Sequence, residues 1–195
     1  PQYRMSFLHT ASAHVPAFDR MVEEAAPGTP VSHVVAQDIL EDVLAAGGID
    51  AAIRRRIEAA VLAAADNGDV VICTCSTIAE AVEEAGASTG IHVARIDLAL
   101  AEAAVNAGRR IMVVMTAAST AASTRSLFER TAARAGRRVE LRFEMLEGVF
   151  DLFFAGRIDD YGKAIADAVR SRRRDCDAIV LAQVSMAAAC PHLDD

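Results

Sequence analysis

The 195-residue sequence predicts an α/β protein built from two related halves. Short apolar runs alternate with longer amphipathic stretches along its whole length, the pattern of parallel strands joined through helices. Two strand-turn segments recur in the same order about one half-chain later. At 53% apolar residues a chain of this size has ample material for a proper core. The expected architecture is two pseudo-symmetric α/β/α domains with mainly parallel sheets and a cleft between them. The first spans 1–97 and carries Cys75; the second spans 98–195 and carries Gln183, with its C-terminal end free to pack back on the first half.

Strands are expected at Arg4–Leu8, Val31–Val35, Val70–Cys73, His92–Ile96, Arg110–Met115, Arg138–Phe143 and Ala178–Leu181. Each is rich in β-formers and short enough for a buried strand. Helices are expected at Val15–Ala25, Ala51–Asn67, Thr77–Ala85, Leu98–Ala107, Ser123–Ala135 and Asp160–Ser171. Their alanine content favours helix. Gly68, Gly86, Gly108 and Gly136 stand where helices stop.

The internal repeat carries more weight than the local pattern. Asp69 to Cys75 aligns with Asp177 to Gln183, 108 residues on: an aspartate, a buried strand, then a polar turn. Phe7 to Ala11 aligns with Val113 to Ala117, 106 residues on. Chance similarity between alanine-rich strands is the competing explanation. Two units repeating at nearly one separation favour related halves. All four turns lie at carboxyl ends of expected strands, where open parallel sheets bind ligands.

A net charge of −7 with 5% aromatics argues against a nucleic-acid partner. The clusters Arg54–Arg56 and Arg172–Arg174 lie in helix-patterned segments with acids nearby and read as solvated helix surface. Apolar stretches are broken by charges before they reach a membrane span, and no basic-then-apolar leader opens the sequence, so the expectation is a cytoplasmic protein with no membrane partner. A homo-oligomer stays open. Cys73, Cys75, Cys176 and Cys190 read as reduced thiols. Cys73 and Cys75 are separated by one residue where structural zinc sites place at least two, so no metal is expected. No glycine-rich nucleotide loop and no serine-hydrolase elbow is present, and the single lysine, Lys163, lies on a charged helix; no cofactor is expected.

The chemistry concentrates on the turns. Cys75 follows an expected strand and precedes Ser76 and Thr77; Thr77 and Glu80 have the spacing of a capping box. A cysteine at a helix N-terminus meets free backbone N–H groups and the positive end of the macrodipole, which favour a thiolate. The same N–H groups, with the hydroxyls of Ser76 and Thr77, suit a carboxylate. Cys73 lies inside the apolar run, where strand alternation buries it.

These residues resemble the aspartate/glutamate racemase superfamily. Its first signature, a strand ending in Cys-Asn-Thr, is matched by Cys75-Ser76-Thr77; its second, ending in Gly-Cys-Thr, stands here as Ala182-Gln183-Val184. Met115 to Ser119 is similar to the family's Ala-Thr-Pro-Gly-Thr loop, so the resemblance implies substrate-carboxylate binding by Thr116 and Ser119. His9-Thr10 resembles the first-strand loop, which also faces substrate. The resemblance covers essentially the whole chain and implies an enzyme without cofactor that acts on a small carboxylate or amino acid.

In family members with two cysteines, opposed thiols remove and return an α-proton on the two faces of the substrate. This sequence keeps one thiol, because Gln183 holds the second position and a neutral amide exchanges no proton near pH 7. Cys190 lies seven residues further on and is a poor substitute. Two-thiol racemisation is therefore not expected. Gln183 is expected to face Cys75, orienting substrate or donating to a developing oxyanion. His9, His14 and His33 are further candidate bases. The resemblance also implies single-cysteine decarboxylases and cis-trans isomerases as alternatives, and a non-catalytic carboxylate-binding protein is the alternative from another class. The sequence stops soon after the helix expected beyond Gln183, which leaves room for a further C-terminal helix.

Overall fold

The computed structural model describes residues 3–193 and divides into two compact units, one running to Ile96 and the other starting at Asp97. Each is an α/β unit on a parallel sheet.

In the first unit the order is β1 (Met5–His9), α1 (Val15–Ala25), β2 (Val31–Val35), α2 (Gln37–Ala46), α3 (Ala51–Ala65), β3 (Val70–Cys73), α4 (Ala79–Thr89) and β4 (Val93–Arg95). The strands lie side by side as β2-β1-β3-β4. Alternation along β1 sends Leu8 into a core with Val71 and Cys73, sealed by Ile39, Ile53, Ile57, Val61 and Val82 from the helices. Phe7 and His9 form a second group with Phe18 of α1, at ring-centroid distances of 5.1 Å for Phe7–Phe18 and 5.4 Å for His9–Phe18. The start of α3 is set by Asp50, whose carboxylate accepts from the Ala52 and Ile53 N–H groups at 2.8 Å. Such a cap contributes about 1 kcal/mol.

The second unit runs α5 (Leu98–Ala107), β5 (Arg110–Met115), α6 (Ala121–Arg134), β6 (Glu140–Met145), α7 (Phe150–Phe154), α8 (Ile158–Arg172) and β7 (Ala178–Leu181), with strand order β6-β5-β7. Ile111, Val113 and Met115 pack with Val105, Leu127 and Phe128; Met112 and Val114 pack with Tyr161, Ile165 and Met186. The central strand is covered on both faces, which is why it reads as an unbroken apolar run. The segment after Gln183 is a 3-10 helix, Val184–His192, with Pro191 inside it. It lies so close to α8 that a Cβ on Gly162 would come within 2.2 Å of the Ala188 carbonyl oxygen.

The repeat expected from the sequence recurs in the backbone hydrogen bonds. Asp69 N–H donates to Arg4 O and Asp177 N–H to Arg110 O, both at 2.8 Å; Thr74 N–H donates to Leu8 O and Ala182 N–H to Val114 O, both at 3.0 Å. The aspartate side chains repeat as well. Asp69 accepts from the backbone N–H and guanidinium of Arg4, and Asp177 from the backbone N–H groups of Arg109 and Arg110 and the guanidinium of Arg110.

The parallel α/β class is as expected. Helices α2 and α7 were not foreseen, and β6 starts at Glu140 rather than Arg138. The arginine clusters form surface ion pairs, Arg54 with Glu84, Arg56 with Asp42 and Arg172 with Glu144. Among the described residues no helix is long and apolar enough to cross a membrane.

Candidate active site

Among the described residues, the turn after β3 carries the only cysteine that both follows a strand and is half-buried. Cys73 is 1% exposed and its thiol donates to the Cys75 carbonyl oxygen at 3.5 Å; Cys75 is half-buried, and Thr74, Ser76 and Thr77 are buried around it. Helix α4 begins at Ala79, with Ile78 as its cap residue, so a turn over Ser76, Thr77 and Ile78 stands between Cys75 and the first helical residue. The expected start at Thr77 is corrected by two residues. The helix dipole falls off within one turn, so it acts on Cys75 less than a start at Thr77 would imply.

His9 and Thr10, at the end of β1, are also buried. Nδ1 of His9 lies 2.8 Å from Thr74 Oγ1, and Nε2 lies 2.9 Å from His33 Nδ1. Nε2 of His33 lies 2.9 Å from Asp19 Oδ1. The hydroxyl of Thr74 is also 3.3 Å from the Leu8 carbonyl oxygen. Burial pushes His9 down to about 4, helped by the charges of His33 and His14 and opposed by Asp19. His9 is therefore a neutral imidazole near pH 7. His14, half-buried at the start of α1, is also pushed down by burial. Among the sequence candidates, then, His9 meets the Cys75 turn through Thr74, and His33 stands one ring behind it. Asp19 was missed; its position on α1, one residue after Phe18, gave no sequence signal of a partner on β2.

In the second unit the matching turns are occupied differently. The Gln183 side-chain oxygen accepts from Thr116 N–H at 2.7 Å, Ala117 N–H at 3.1 Å and the Thr116 hydroxyl at 3.0 Å. The Thr116 hydroxyl also lies 2.9 Å from the Tyr161 hydroxyl, itself 3.1 Å from Ser185 Oγ. Burial raises Tyr161 above its ordinary value and keeps it neutral. Ser119 sits half-buried in a short 3-10 turn, Ala118–Thr120. The first unit has the same turn: a 3-10 segment, Ser12–His14, preceded by Ala11 in an extended conformation as Ala117 is. Thr10 and Ala11 thus occupy the places of Thr116 and Ala117, and Cys75 that of Gln183.

No family model matches the chain, and no curated protein matches its sequence. Solved structures do match. A glutamate racemase isoform of Bacillus anthracis superposes over 98% of this chain and 72% of its own, with a TM-score of 0.71 at 11% identity. The glutamate racemase of Francisella tularensis, solved with D-glutamate, matches over 98% of this chain and 72% of its own with a TM-score of 0.67 at 11% identity. That of Aquifex pyrophilus matches over 98% and 75% with a TM-score of 0.66 at 11% identity. The chain has the fold of the glutamate racemases.

Proposed function

We propose that the protein is a cofactor-independent enzyme of the Asp/Glu racemase type, in which Cys75 moves a proton at the carbon next to a small substrate's carboxylate. The observation that carries this reading is the pair of matched turns. Gln183 shows that this strand-to-3-10 turn holds one oxygen with two backbone N–H groups and a threonine hydroxyl. The first unit repeats the turn with Thr10 and Ala11, and puts a thiol where the glutamine stands. In this reading the Thr10–Ala11 turn, with Ser76 and Thr77, takes a carboxylate oxygen, and the Cys75 thiolate takes the neighbouring proton. The electron pair left on carbon spreads into the carboxylate as an enediolate, stabilised by the same donors. The thiol then returns a proton to that carbon.

One acid–base group returns its proton to the face it came from, so solvent exchange outpaces inversion. The amide of Gln183 in the second matched position favours one-thiol variants of the same chemistry, protonation after loss of carbon dioxide or addition to a double bond. Incubation in D2O with a panel of amino acids, hydantoins, maleate and arylmalonates tests the reading. Deuterium at the carbon next to the carboxylate, or turnover, is expected from the unaltered chain and not from Cys75→Ser. Saturable binding without label or turnover on any member would assign the chain to carboxylate binding alone.

A further inference from the structure

We propose that Asp19, His33, His9 and Thr74 form a proton relay that stores the proton exchanged at the Cys75 turn, so that the turn's acid–base state is set at the surface end of the relay. This rests on the reading of Cys75 as the acid–base group. All four relay residues belong to the first unit, on α1, β2, β1 and the turn after β3. The relay runs from exposure to burial: the Asp19 side chain is 54% exposed, that of His33 15%, and His9 is 0% exposed. Phe7 and Phe18 flank the two imidazoles, with Phe7–His33 at 5.6 Å and His9–His33 at 5.1 Å between ring centroids, which keeps water from the inner ring.

The heavy-atom positions satisfy two hydrogen-bond patterns that differ by one proton. In the neutral relay the Thr74 hydroxyl donates to His9 Nδ1, His9 Nε2–H donates to His33 Nδ1, and His33 Nε2–H donates to the Asp19 carboxylate. In this proposal the Cys75 thiol gives its proton to Thr74 Oγ1 and is left as a thiolate, the proton of Thr74 passes to His9 Nδ1, and the Nε2 proton of His9 passes to His33 Nδ1. The positive charge comes to rest on His33 beside Asp19, and no other bond changes. The two hydrogen bonds made by His9 have then reversed, His33 Nε2–H still donates to Asp19, and the Thr74 hydroxyl donates to its second acceptor, the Leu8 carbonyl oxygen. That second acceptor is what lets the reversed pattern close without an orphaned hydroxyl. The titratable groups acting on His9 from the surrounding elements are His33 on β2, His14 at the start of α1 and Asp19 on α1. Of these only Asp19 is an anion, so a single positive charge settles on the ring that touches it. His9 stays neutral throughout, in one tautomer or the other.

Imidazole 15N shifts of the full chain between pH 5 and 8 test the relay directly. His9 is expected to cross from the Nε2–H to the Nδ1–H form as pH falls and the relay takes up its proton. In His33→Gln the crossing is expected to vanish; in Asp19→Asn, an exposed change that leaves the core intact if the first variant fails to fold, it is expected to move to lower pH. One unchanging His9 tautomer in the unaltered chain, or a crossing that survives in His33→Gln, would overturn the proposal. Iodoacetamide alkylation of Cys75 supplies the link to the site. Its rate profile is expected to inflect at the crossing pH and to shift with it in Asp19→Asn; a profile unmoved by either variant would overturn the link and the proposal with it. If alkylation follows the relay while no substrate on the panel is labelled, the relay stands and the enzymatic reading falls.

Discussion

The turn after β3 and the turn after β7 share a backbone and differ in what occupies it. Both follow the middle strand's second neighbour, both are anchored by an aspartate that clamps the start of the central strand, and both stand beside a strand-to-3-10 turn of sequence Thr-Ala. In the second unit Gln183 fills that turn with its own oxygen and Tyr161 backs it. In the first unit a half-buried thiol stands in the glutamine's place, and the neighbouring Thr74 is linked to two histidines and an aspartate. The geometry of a duplicated turn is conserved by its backbone hydrogen bonds. What occupies it is set by one side chain: an amide oxygen held by its own unit in the second copy, a thiol in the first.

On the proposed function, removing the Cys75 thiol gives the largest effect this comparison predicts. Cys75→Ser should lower deuterium exchange on a responsive substrate by roughly 10²- to 10⁴-fold, the usual contribution of a positioned acid–base group. Gln183→Ala should lower it by less than about tenfold, since no proton moves at that position. Parallel isotope-exchange rates on one substrate check both; a Gln183→Ala loss as large as that of Cys75→Ser would break the division of labour.

The backing groups differ next. His9 is pushed from 6.5 to about 4 chiefly by burial, whereas the second unit's Tyr161 stays uncharged throughout this range. An unfolded His9 takes up a proton as pH falls through 6.5, and the folded one resists until about 4, so stability is full above the upper value and declines between the two. The decline attributable to His9 is about 3 kcal/mol. Hydrogen exchange of β1 and β3 amides across this pH window should show protection falling, while β5 and β7 amides hold theirs. In His9→Gln the first-unit decline should flatten; an unchanged slope would place its origin elsewhere.

Third comes the cost of emptying the occupied turn. Gln183→Ala leaves two backbone N–H groups and the Thr116 hydroxyl without their shared acceptor, a loss of about 1–3 kcal/mol. Urea unfolding, together with faster exchange of the Thr116 and Ala117 amides, reads this loss. Cys75→Ala, which removes no acceptor from a matched turn, should cost less. Equal costs would mean that the two turns are not occupied differently after all.

The parts legible in the sequence were those written in short-range pattern or in repetition. Strands β2, β3, β5 and β7 fall where apolar runs of β-formers place them, and the spacing from Asp69 to Asp177 marks a contact that each unit makes in the same way. Helix α2 escaped notice because its buried residues, Ile39 and Val43, sit among Asp38, Glu41 and Asp42, which dilute the apolar period. Helix α4 starts at Ala79 because Ser76 to Ile78 first complete a turn, a distinction that the capping-box spacing does not make. The direction of the Gln183 oxygen and the reach of Asp19 to His33 depend on elements far apart in sequence meeting edge to edge. Residue type showed that Gln183 moves no proton and led to the expectation that it faces Cys75; it carried no signal that its oxygen accepts from Thr116 and Ala117 of its own unit.

The smallest expected difference lies at the opposite ends of the strands, where the two clamping aspartates repeat each other with unequal grip. Asp69 is held below the usual carboxylate range by the guanidinium of Arg4 first and its backbone N–H second. Asp177 is held further below by the Arg110 guanidinium and by two backbone N–H groups, those of Arg110 and Arg109. A carboxylate whose folded value is lowered contributes stability that is complete above its unfolded value and is lost as pH falls toward the folded one. Both clamps therefore weaken below about pH 4, the ordinary carboxylate range. Both are solvent-exposed, so salt screens them and the effects are modest. Asp177→Asn should remove more of the acid-range pH dependence than Asp69→Asn, because its carboxylate serves one more backbone donor that water must then replace. Acid titrations of the two variants against the unaltered chain, followed by amide exchange at Arg4 and at Arg109 and Arg110, resolve the two ends separately. If Asp69→Asn flattened the acid limb more than Asp177→Asn, guanidinium contact rather than the count of backbone donors would govern the clamp in both units.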